Sequence, residues 1–194
     1  MPVATPDLAT LAAKQAITDN LHRYCRSMDR MDRGLALSCW HPGGTDEHTP
    51  LFSGSGEGFV DWVWRIHKPM LLTRHVLTNI LIEVDGDEAW SESYWTVQLR
   101  IQRELGIVDL WSGGRYVDHH RTIDGAWAFV HRRSVHDWDR AEPLGMTMAN
   151  FPGPALVEPD APDAPLYPAA RSPADPSYLA LGGHAMPYPG KHAA

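Results

Sequence analysis

The chain has 194 residues, of which 43% are hydrophobic and 21% are charged, proportions that are typical of one globular domain with a substantial core. A formal net charge of −7 excludes the basic surface that nucleic-acid binding needs, and apolar runs such as residues 76–82 are too short to cross a bilayer. The N-terminus lacks a secretory signal, and Cys25 and Cys39 match neither a disulfide framework nor a zinc motif, so we expect a cytoplasmic protein.

Three helices are predicted in the N-terminal part of the chain. The first begins near residue 6 and ends near residue 30, and its apolar residues recur at three- and four-residue steps: Ile17, Leu21, Tyr24, Cys25 and Met28. Asp29 follows Cys25 by four residues and therefore belongs to the same buried face. A second helix is predicted over residues 33–40, before the helix-ending sequence HPGG, and a third over residues 56–67, before Pro69.

Strand patterns dominate after the third helix. Four long strands are predicted over residues 73–84, 89–102, 107–122 and 126–138, with hairpin turns at DGD and IDG, and a short strand is expected near residues 50–53. Helices followed by a meander of strands indicate an α+β domain in which a curved antiparallel sheet packs against the helices. Such a sheet leaves a pocket between itself and the helices.

The domain is expected to span residues 1–140, and residues 141–194 form an irregular extension. Eleven of the 16 prolines lie between Pro143 and Pro189, in a segment with little apolar periodicity. This extension either wraps over the domain or a neighbouring subunit, or is disordered. If it wraps, the apolar anchors are expected to be Leu179, Leu181, Met186 and Tyr188.

His75 and Asp29 are the first candidates for chemistry. His75 lies near the start of a strand that is otherwise apolar, and alternation places Leu77, Asn79 and Leu81 on its side of the strand. A carboxylate beside an imidazole fixes its tautomer and stabilises its cationic form, which makes a general base. The alternative is structural, with a hydrogen-bonded core histidine and an acid that caps a helix end.

Other polar residues share the pocket if the strands alternate regularly. Arg132, Ser134 and His136 lie on one side of the last strand, and Ser112 and Tyr116 share a side of the strand before it. An inward arginine or tyrosine would stabilise a leaving group or a developing oxyanion, whereas the alternative is that these residues face solvent.

Metal and cofactor motifs are not found in the sequence. His119 and His120 are adjacent on a strand and point to opposite faces, and no HExxH or facial-triad spacing occurs. The glycine-rich segment GSGEG lacks the GxGxxG spacing, and no GxSxG motif is present. We therefore expect no metal and no cofactor.

Four segments resemble the SnoaL-like branch of the nuclear transport factor 2 superfamily. They are LAAKQAITDNLHRYCRSMDRMDRGLALSCWHP, FSGSGEGFVDWV, TRHVLTNILIEVDGDEAWSESYW and GRYVDHHRTIDGAWAFVHRRSVHDW, which together cover nearly all of residues 8–138. The resemblance implies a cone-shaped fold of three helices against a curved sheet, and relatives that are commonly dimers or trimers. Because the superfamily hosts many chemistries, the fold alone does not define the function.

The resemblance also implies site residues. Members that are hexachlorocyclohexane dehydrochlorinases or scytalone dehydratases use a histidine–aspartate pair to eliminate a leaving group without a cofactor. Asp29 in SMDR and His75 in RHVLTN match that pair, although the nearby Asp32 is an alternative partner for His75. By the same likeness Arg132 and Tyr116 are expected to assist catalysis. The substrate-binding residues are expected to be Tyr24, Trp40, Tyr94, Ser112 and His136.

The resulting expectation is a cofactor-independent lyase that acts on a small hydrophobic substrate. The aromatic content suits an aromatic compound, for example a lignin-derived diaryl compound from which related enzymes release formaldehyde. The alternatives are an isomerase or cyclase with the same pocket, and a non-catalytic subunit like the β subunits of aromatic-ring dioxygenases, which share the fold.

Overall fold

The computed structural model describes residues 4–145, 170–172 and 174–178. In chain order, the elements are α1 (Leu8–Arg30), α2 (Arg33–Leu37), β1 (Trp40–His48), β2 (Phe52–Ser55), α3 (Gly56–His67), β3 (Leu72–Asp85), β4 (Glu88–Arg103), β5 (Gly106–Ile123), β6 (Ala126–Pro143) and a short 3₁₀ helix (Pro176–Tyr178). The three helices and the four long strands confirm the predicted α+β architecture. No helix among the described residues is long and apolar enough to cross a membrane.

The helices begin and end where local capping chemistry directs them. Asp7 caps α1 by accepting a hydrogen bond from the Thr10 N–H at 2.7 Å, and α1 ends at Met31, which adopts the left-handed conformation. Ser55 caps α3 in the same way, with the Gly58 N–H at 3.0 Å. These caps explain why the predicted bounds of α1 and α3 agree with the structure.

The prediction for residues 33–48 is wrong in one respect. The second helix ends at Leu37, and the HPGG sequence lies inside strand β1. Gly43 has a φ of 79°, and the register between β1 and β6 shifts between Trp40 and Thr45, so the segment forms an irregularity within the strand. The glycines of HPGG, which predict the end of a helix, thus allow the irregular backbone within strand β1.

The sheet is mixed because of β1. Its strand order is β2-β1-β6-β5-β4-β3, in which β1 runs parallel to β6 and all other neighbours are antiparallel. The sheet is curved and unclosed, with the helices on its concave side. The core between α1 and the sheet contains Ile17, Leu21, Tyr24, Met28, Trp95, Val97, Tyr116 and Phe129.

A bulge in β3 changes which of its residues face the core. Asn79 has a φ of 50°, and the pairing with β4 shifts between Thr78 and Leu81. Leu81 is therefore 68% exposed while Ile82 is buried, so the predicted placement of Leu81 beside His75 is wrong. The alternation holds before the bulge, where His75 and Leu77 share the inward side.

Part of the C-terminal extension packs beside the C-terminal end of α1. Asp175 forms an ion pair with Arg30 at 3.2 Å, and the Tyr178 hydroxyl donates to Asp32 at 2.9 Å. Arg171 donates to the main-chain oxygen of His67 at 2.9 Å. Strand β6 continues to Pro143, three positions beyond the expected boundary at residue 140. The anchors that were expected at residues 179–188 lie outside the described residues.

Candidate active site

His75 and Asp29 are in direct contact where the C-terminal end of α1 meets the start of β3. The His75 Nδ1 lies 2.6 Å from Asp29 Oδ1, and the main-chain N–H of His75 donates to both carboxylate oxygens at 3.0 and 3.1 Å. Both side chains are nearly buried, with exposed fractions of 8% and 13%. Because Asp29 accepts from Nδ1, Nε2 is the imidazole nitrogen that is available to a ligand.

Asp32 has a different environment. Its carboxylate caps α2 by accepting from the Leu35 N–H at 3.0 Å, and it also accepts from Tyr178. Asp29 lies on the inward face of α1, as helical spacing predicts, whereas Asp32 follows the end of that helix. The structure therefore gives His75 one carboxylate partner among its described residues, and that partner is Asp29.

A cavity of about 480 Å³ lies between the concave face of the sheet and helices α1 and α3, and His75 lines it. Its wall is mostly apolar and aromatic, which suits a hydrophobic ligand. The apolar side chains come from Met28, Phe59, Trp62, Val63, Ile66, Trp95, Val97, Leu99 and Leu110. The polar side chains that reach it include His48, His67, Ser112, Ser134, His136 and Asp139.

Arg132 lies behind the cavity wall, not at its surface. Its guanidinium is fully buried and binds the Asp118 carboxylate through two hydrogen bonds of 2.7 and 2.8 Å. It also lies within about 4.1 Å of the ring centres of Tyr24, Tyr116 and Phe129. Arg132 thus faces inward, as strand alternation predicts, but it contacts the cavity through the tyrosines.

Tyr24 and Tyr116 line the cavity directly. Burial raises the pKa of both phenols above the usual range, so both hydroxyls remain protonated at physiological pH. Their rings meet edge to face with centroids 5.9 Å apart. Protonated phenols at a cavity wall are able to donate a hydrogen bond to a ligand oxygen.

The remaining expected substrate contacts divide into two groups. Ser112 lines the cavity and donates to Asp139, and His136, on the exposed rim, pairs with the same carboxylate at 2.9 Å. Trp40 is a core residue, packed against Phe129 with ring centroids 5.2 Å apart, and does not reach the cavity. Tyr94 is 43% exposed on the opposite face of β4 from Trp95, which lines the cavity in its place.

Two histidines of the cavity were not found from the sequence. His48 hydrogen-bonds to Asp46 through Nδ1 and stacks on Phe59 with ring centroids 4.4 Å apart. His67 ends α3, and its ring centroid lies 6.0 Å from that of His75. Burial lowers the pKa of His67 to about 3, and nearby His75 and Arg171 act in the same direction, so His67 is neutral.

One sequence signal could have found the Asp46–His48 pair. The two residues are separated by one position, the spacing that puts side chains on the same face of a strand. The HPGG sequence just before the pair is typical of a helix end and so conceals the strand pattern. Within the part of the chain that the structure describes, no group of three or more His, Cys, Asp or Glu side chains is placed to hold a metal ion.

The comparisons with known proteins agree with this fold. The family model of the SnoaL-like domain matches residues 9–133, and the chain therefore belongs to the SnoaL-like family. A search among curated proteins finds no significant match.

Several solved structures are similar. A type 2 hexachlorocyclohexane dehydrochlorinase is 20% identical with a TM-score of 0.64, and the match covers 78% of this chain and 100% of that one. A putative scytalone dehydratase from Novosphingobium aromaticivorans is 22% identical with a TM-score of 0.58, and the match covers 71% and 97%. A protein of unknown function from Mycobacterium tuberculosis is 26% identical with a TM-score of 0.59, over 70% and 78%. These likenesses support the nuclear transport factor 2-like fold.

Proposed function

We propose that the protein is a cofactor-independent lyase in which His75 is the general base and Asp29 orients it. The observation that carries the proposal is the pair itself: the Asp29 carboxylate receives the Nδ1–H of His75 at 2.6 Å and leaves Nε2 for the cavity. No hydrogen bond to the Nε2 of His75 occurs among the described residues. A base in this position removes a proton from a substrate carbon while Asp29 stabilises the resulting imidazolium.

The cavity supports a small hydrophobic, aromatic substrate. Its volume of about 480 Å³ lies within the roughly 300–1,000 Å³ range of small-molecule sites, and Phe59, Trp62 and Trp95 supply aromatic surface. Tyr116 and Tyr24 supply hydroxyl donors for a developing negative charge, and Arg132 acts through them because its guanidinium lies against both rings.

The names of the similar structures suggest which reactions to test. One is a dehydrochlorinase and another is a putative dehydratase, and both names denote elimination. Compounds to assay are hexachlorocyclohexane, scytalone and a 1,2-diarylpropane-1,3-diol, with products separated by chromatography and identified by mass. A lyase releases a fragment, so its products are lighter than the substrate, whereas an isomerase or cyclase with the same pocket yields products of unchanged mass.

The decisive variant is His75→Gln, with His131→Gln as its matched control. His131 also contacts an acidic residue, Glu47 at 3.7 Å, but it lies at the exposed surface and outside the cavity. We expect turnover to fall by about 10²–10⁴-fold in His75→Gln and to stay near wild type in His131→Gln. A primary kinetic isotope effect with substrate deuterated at the reacting carbon would support proton abstraction.

Equal turnover in folded His75→Gln and wild type would refute the role of His75 as the base. Turnover by the chain purified alone would also argue against the accessory-subunit alternative, since an accessory subunit needs a catalytic partner. Native mass spectrometry of the same sample measures the oligomeric state, for which we expect a homodimer or homotrimer.

A further inference from the structure

A second histidine–aspartate pair reaches the same cavity from the other end of the sheet. His48 and Asp46 lie on β1 and His75 lies on β3, and three strands separate β1 from β3 in the strand order. The curvature of the sheet brings both histidines to one cavity wall. In each pair a carboxylate holds Nδ1 and leaves Nε2 for a ligand. The two pairs differ in the charges around them.

The Asp46 carboxylate is buried and has few partners besides His48. Asp46 is 1% exposed, and its Oδ2 has no hydrogen-bond partner among the described residues. Arg132 lies close enough to act on the Asp46 carboxylate, but its hydrogen bonds go to Asp118. His48 is therefore the one side chain among the described residues that hydrogen-bonds this buried carboxylate. Burial raises the pKa of the Asp46 carboxyl, which also favours retention of a proton within the pair.

The Asp29 carboxylate of the other pair has more partners. Arg26 and Arg30 line the same pocket on the outer side of Asp29, and Arg171 lies close enough to interact with its carboxylate. Arg30 pairs with Asp175 and Arg26 donates to Ser177. Arg171 and the main-chain N–H of His75 both act on the Asp29 carboxylate, so this carboxylate has partners besides the imidazole. Two similar pairs in unlike environments are the arrangement that divides acid and base roles between them.

We propose that His48, held by Asp46, is the general acid of the site, and that the substrate carries an oxygen leaving group. This proposal rests on the proposed function of His75 as the base. A halide leaves as a stable anion without a proton, whereas a hydroxyl or alkoxide leaves readily only when it is protonated. A built-in proton donor in the same cavity as the base therefore favours a dehydratase or a related carbon–oxygen lyase over a dehydrohalogenase.

His75 Nε2 takes the proton from the substrate carbon, and the electron pair of that C–H bond forms the new carbon–carbon double bond. The bond between the adjacent carbon and the oxygen breaks, and its electron pair stays on the oxygen. The oxygen accepts the proton from His48 Nε2 and departs as water or an alcohol. His75 then loses one proton to solvent and His48 gains one, which restores both residues.

The test uses two substrates that differ in the leaving group alone: a 1,2-diarylethanol and the matching 1,2-diarylethyl chloride, which give the same stilbene. We expect His48→Gln to lower kcat/KM for loss of water by about 10²-fold or more, but for loss of chloride by no more than about threefold. His131→Gln is the control, and His75→Gln is expected to lower both rates together. A loss in His48→Gln that affects the alcohol far more than the chloride identifies His48 as an acid. A residue that only supports the fold would affect both substrates equally.

A second variant tests the acid role independently, in case His48→Gln does not fold. Asp46→Asn keeps the size of the buried side chain, and we expect the same selective loss of the alcohol reaction, with far-UV circular dichroism as the check on folding. An equal fall on both substrates, or no fall on the alcohol, overturns the acid role while leaving His75 as the base. If wild type eliminates from neither compound and from no member of the assay panel, the proposed function fails together with the acid role.

Discussion

The Asp29 carboxylate bonds His75 twice, through the main-chain N–H and through the imidazole. The distances are 3.0 and 3.1 Å to the main-chain nitrogen and 2.6 Å to Nδ1. One carboxylate at the end of α1 therefore fixes both the position of β3 and the orientation of the imidazole that β3 carries. Any change at Asp29 is expected to alter the direction in which Nε2 points as well as the charge beside the ring.

Asp29→Asn should change the orientation of the His75 imidazole and the charge beside it without unfolding the protein. The amide has one acceptor oxygen where the carboxylate has two, and it carries no charge to stabilise an imidazolium. We expect kcat to fall by about 10²–10⁴-fold while the fold is retained. The measurement is the initial rate on a turned-over substrate, with circular dichroism on the same samples.

Asp32→Asn is the matched control for that experiment. Asparagine caps helices about as well as aspartate, so the cap of α2 at Leu35 is kept and stability should change by less than about 1 kcal/mol. Activity near wild type in Asp32→Asn together with a large loss in Asp29→Asn supports Asp29 as the partner of His75. The reverse result would assign that role to Asp32.

Breaking the buried ion pair between Arg132 and Asp118 should strongly destabilise the protein. Both side chains have no exposed surface, so Arg132→Met leaves an uncompensated carboxylate in the core. We expect the free energy of unfolding to fall by about 3–5 kcal/mol, and the double variant Arg132→Met with Asp118→Leu to recover much of the loss. Urea denaturation monitored by tryptophan fluorescence measures both changes.

Arg133 offers a control in the next position of the same strand. It pairs with Glu47 at 2.9 Å at the exposed surface, where an ion pair contributes less than about 1 kcal/mol. Arg133→Met should therefore change the free energy of unfolding only slightly. If Arg132→Met were no more destabilising than Arg133→Met, the strength assigned to the buried pair would be wrong.

The sequence predicted the parts of the site that depend on regular periodicity. Helical spacing placed Asp29 on the inward face of α1, and strand alternation placed Tyr116 and Ser112 on one side of β5, as the structure has them. The catalytic roles of these residues stay predictions. The resemblance to the family linked Asp29 to His75, which lie 46 positions apart and which no local pattern connects.

The parts that could not be predicted depend on irregular backbone or on distant partners. A bulge at Asn79 reverses the alternation in β3. The HPGG segment predicts a helix end, although it lies in the strand that carries His48. Local sequence cannot show that a glycine-rich segment pairs with a strand more than 80 positions later, as Thr45 pairs with His131. The depth of Arg132 likewise depends on Asp118 in the neighbouring strand.

His67 should make the stability of the protein depend on pH. Burial lowers its pKa to about 3, whereas a histidine in an unfolded chain has a pKa of about 6.5. Between these values the unfolded state binds a proton that the folded state does not, so the free energy of unfolding falls as the pH is lowered. The slope for one such group reaches up to about 1.4 kcal/mol per pH unit.

Urea denaturation of wild type and His67→Gln between pH 7 and pH 4 tests this prediction. We expect a shallower dependence on pH in His67→Gln, and some dependence should remain because burial also lowers the pKa of His120 to about 4. His22→Gln, which changes an exposed histidine, is the control and should follow wild type. Parallel curves for wild type and His67→Gln would contradict the assignment.

Asp175 should hold the described part of the C-terminal extension against the domain. Burial raises the pKa of its carboxyl. Hydrogen bonds from Ser177 and Ala170 and the ion pair with Arg30 outweigh this effect and lower the pKa to about 2. Asp175→Ala removes all of these interactions at once. We expect amide hydrogen exchange over residues 170–178 to become at least about tenfold faster, while global stability falls by only about 1 kcal/mol.

Hydrogen-exchange mass spectrometry of the full chain measures this local change. Glu142→Ala is the control, because Glu142 pairs with Arg140 at the exposed end of β6 and should not affect residues 170–178. Arg171 in the same segment donates to the main-chain oxygen of His67, a residue of the cavity wall. Loosening of the segment in Asp175→Ala should therefore raise exchange at the end of α3 as well, and unchanged exchange in both regions would show that Asp175 does not anchor the segment.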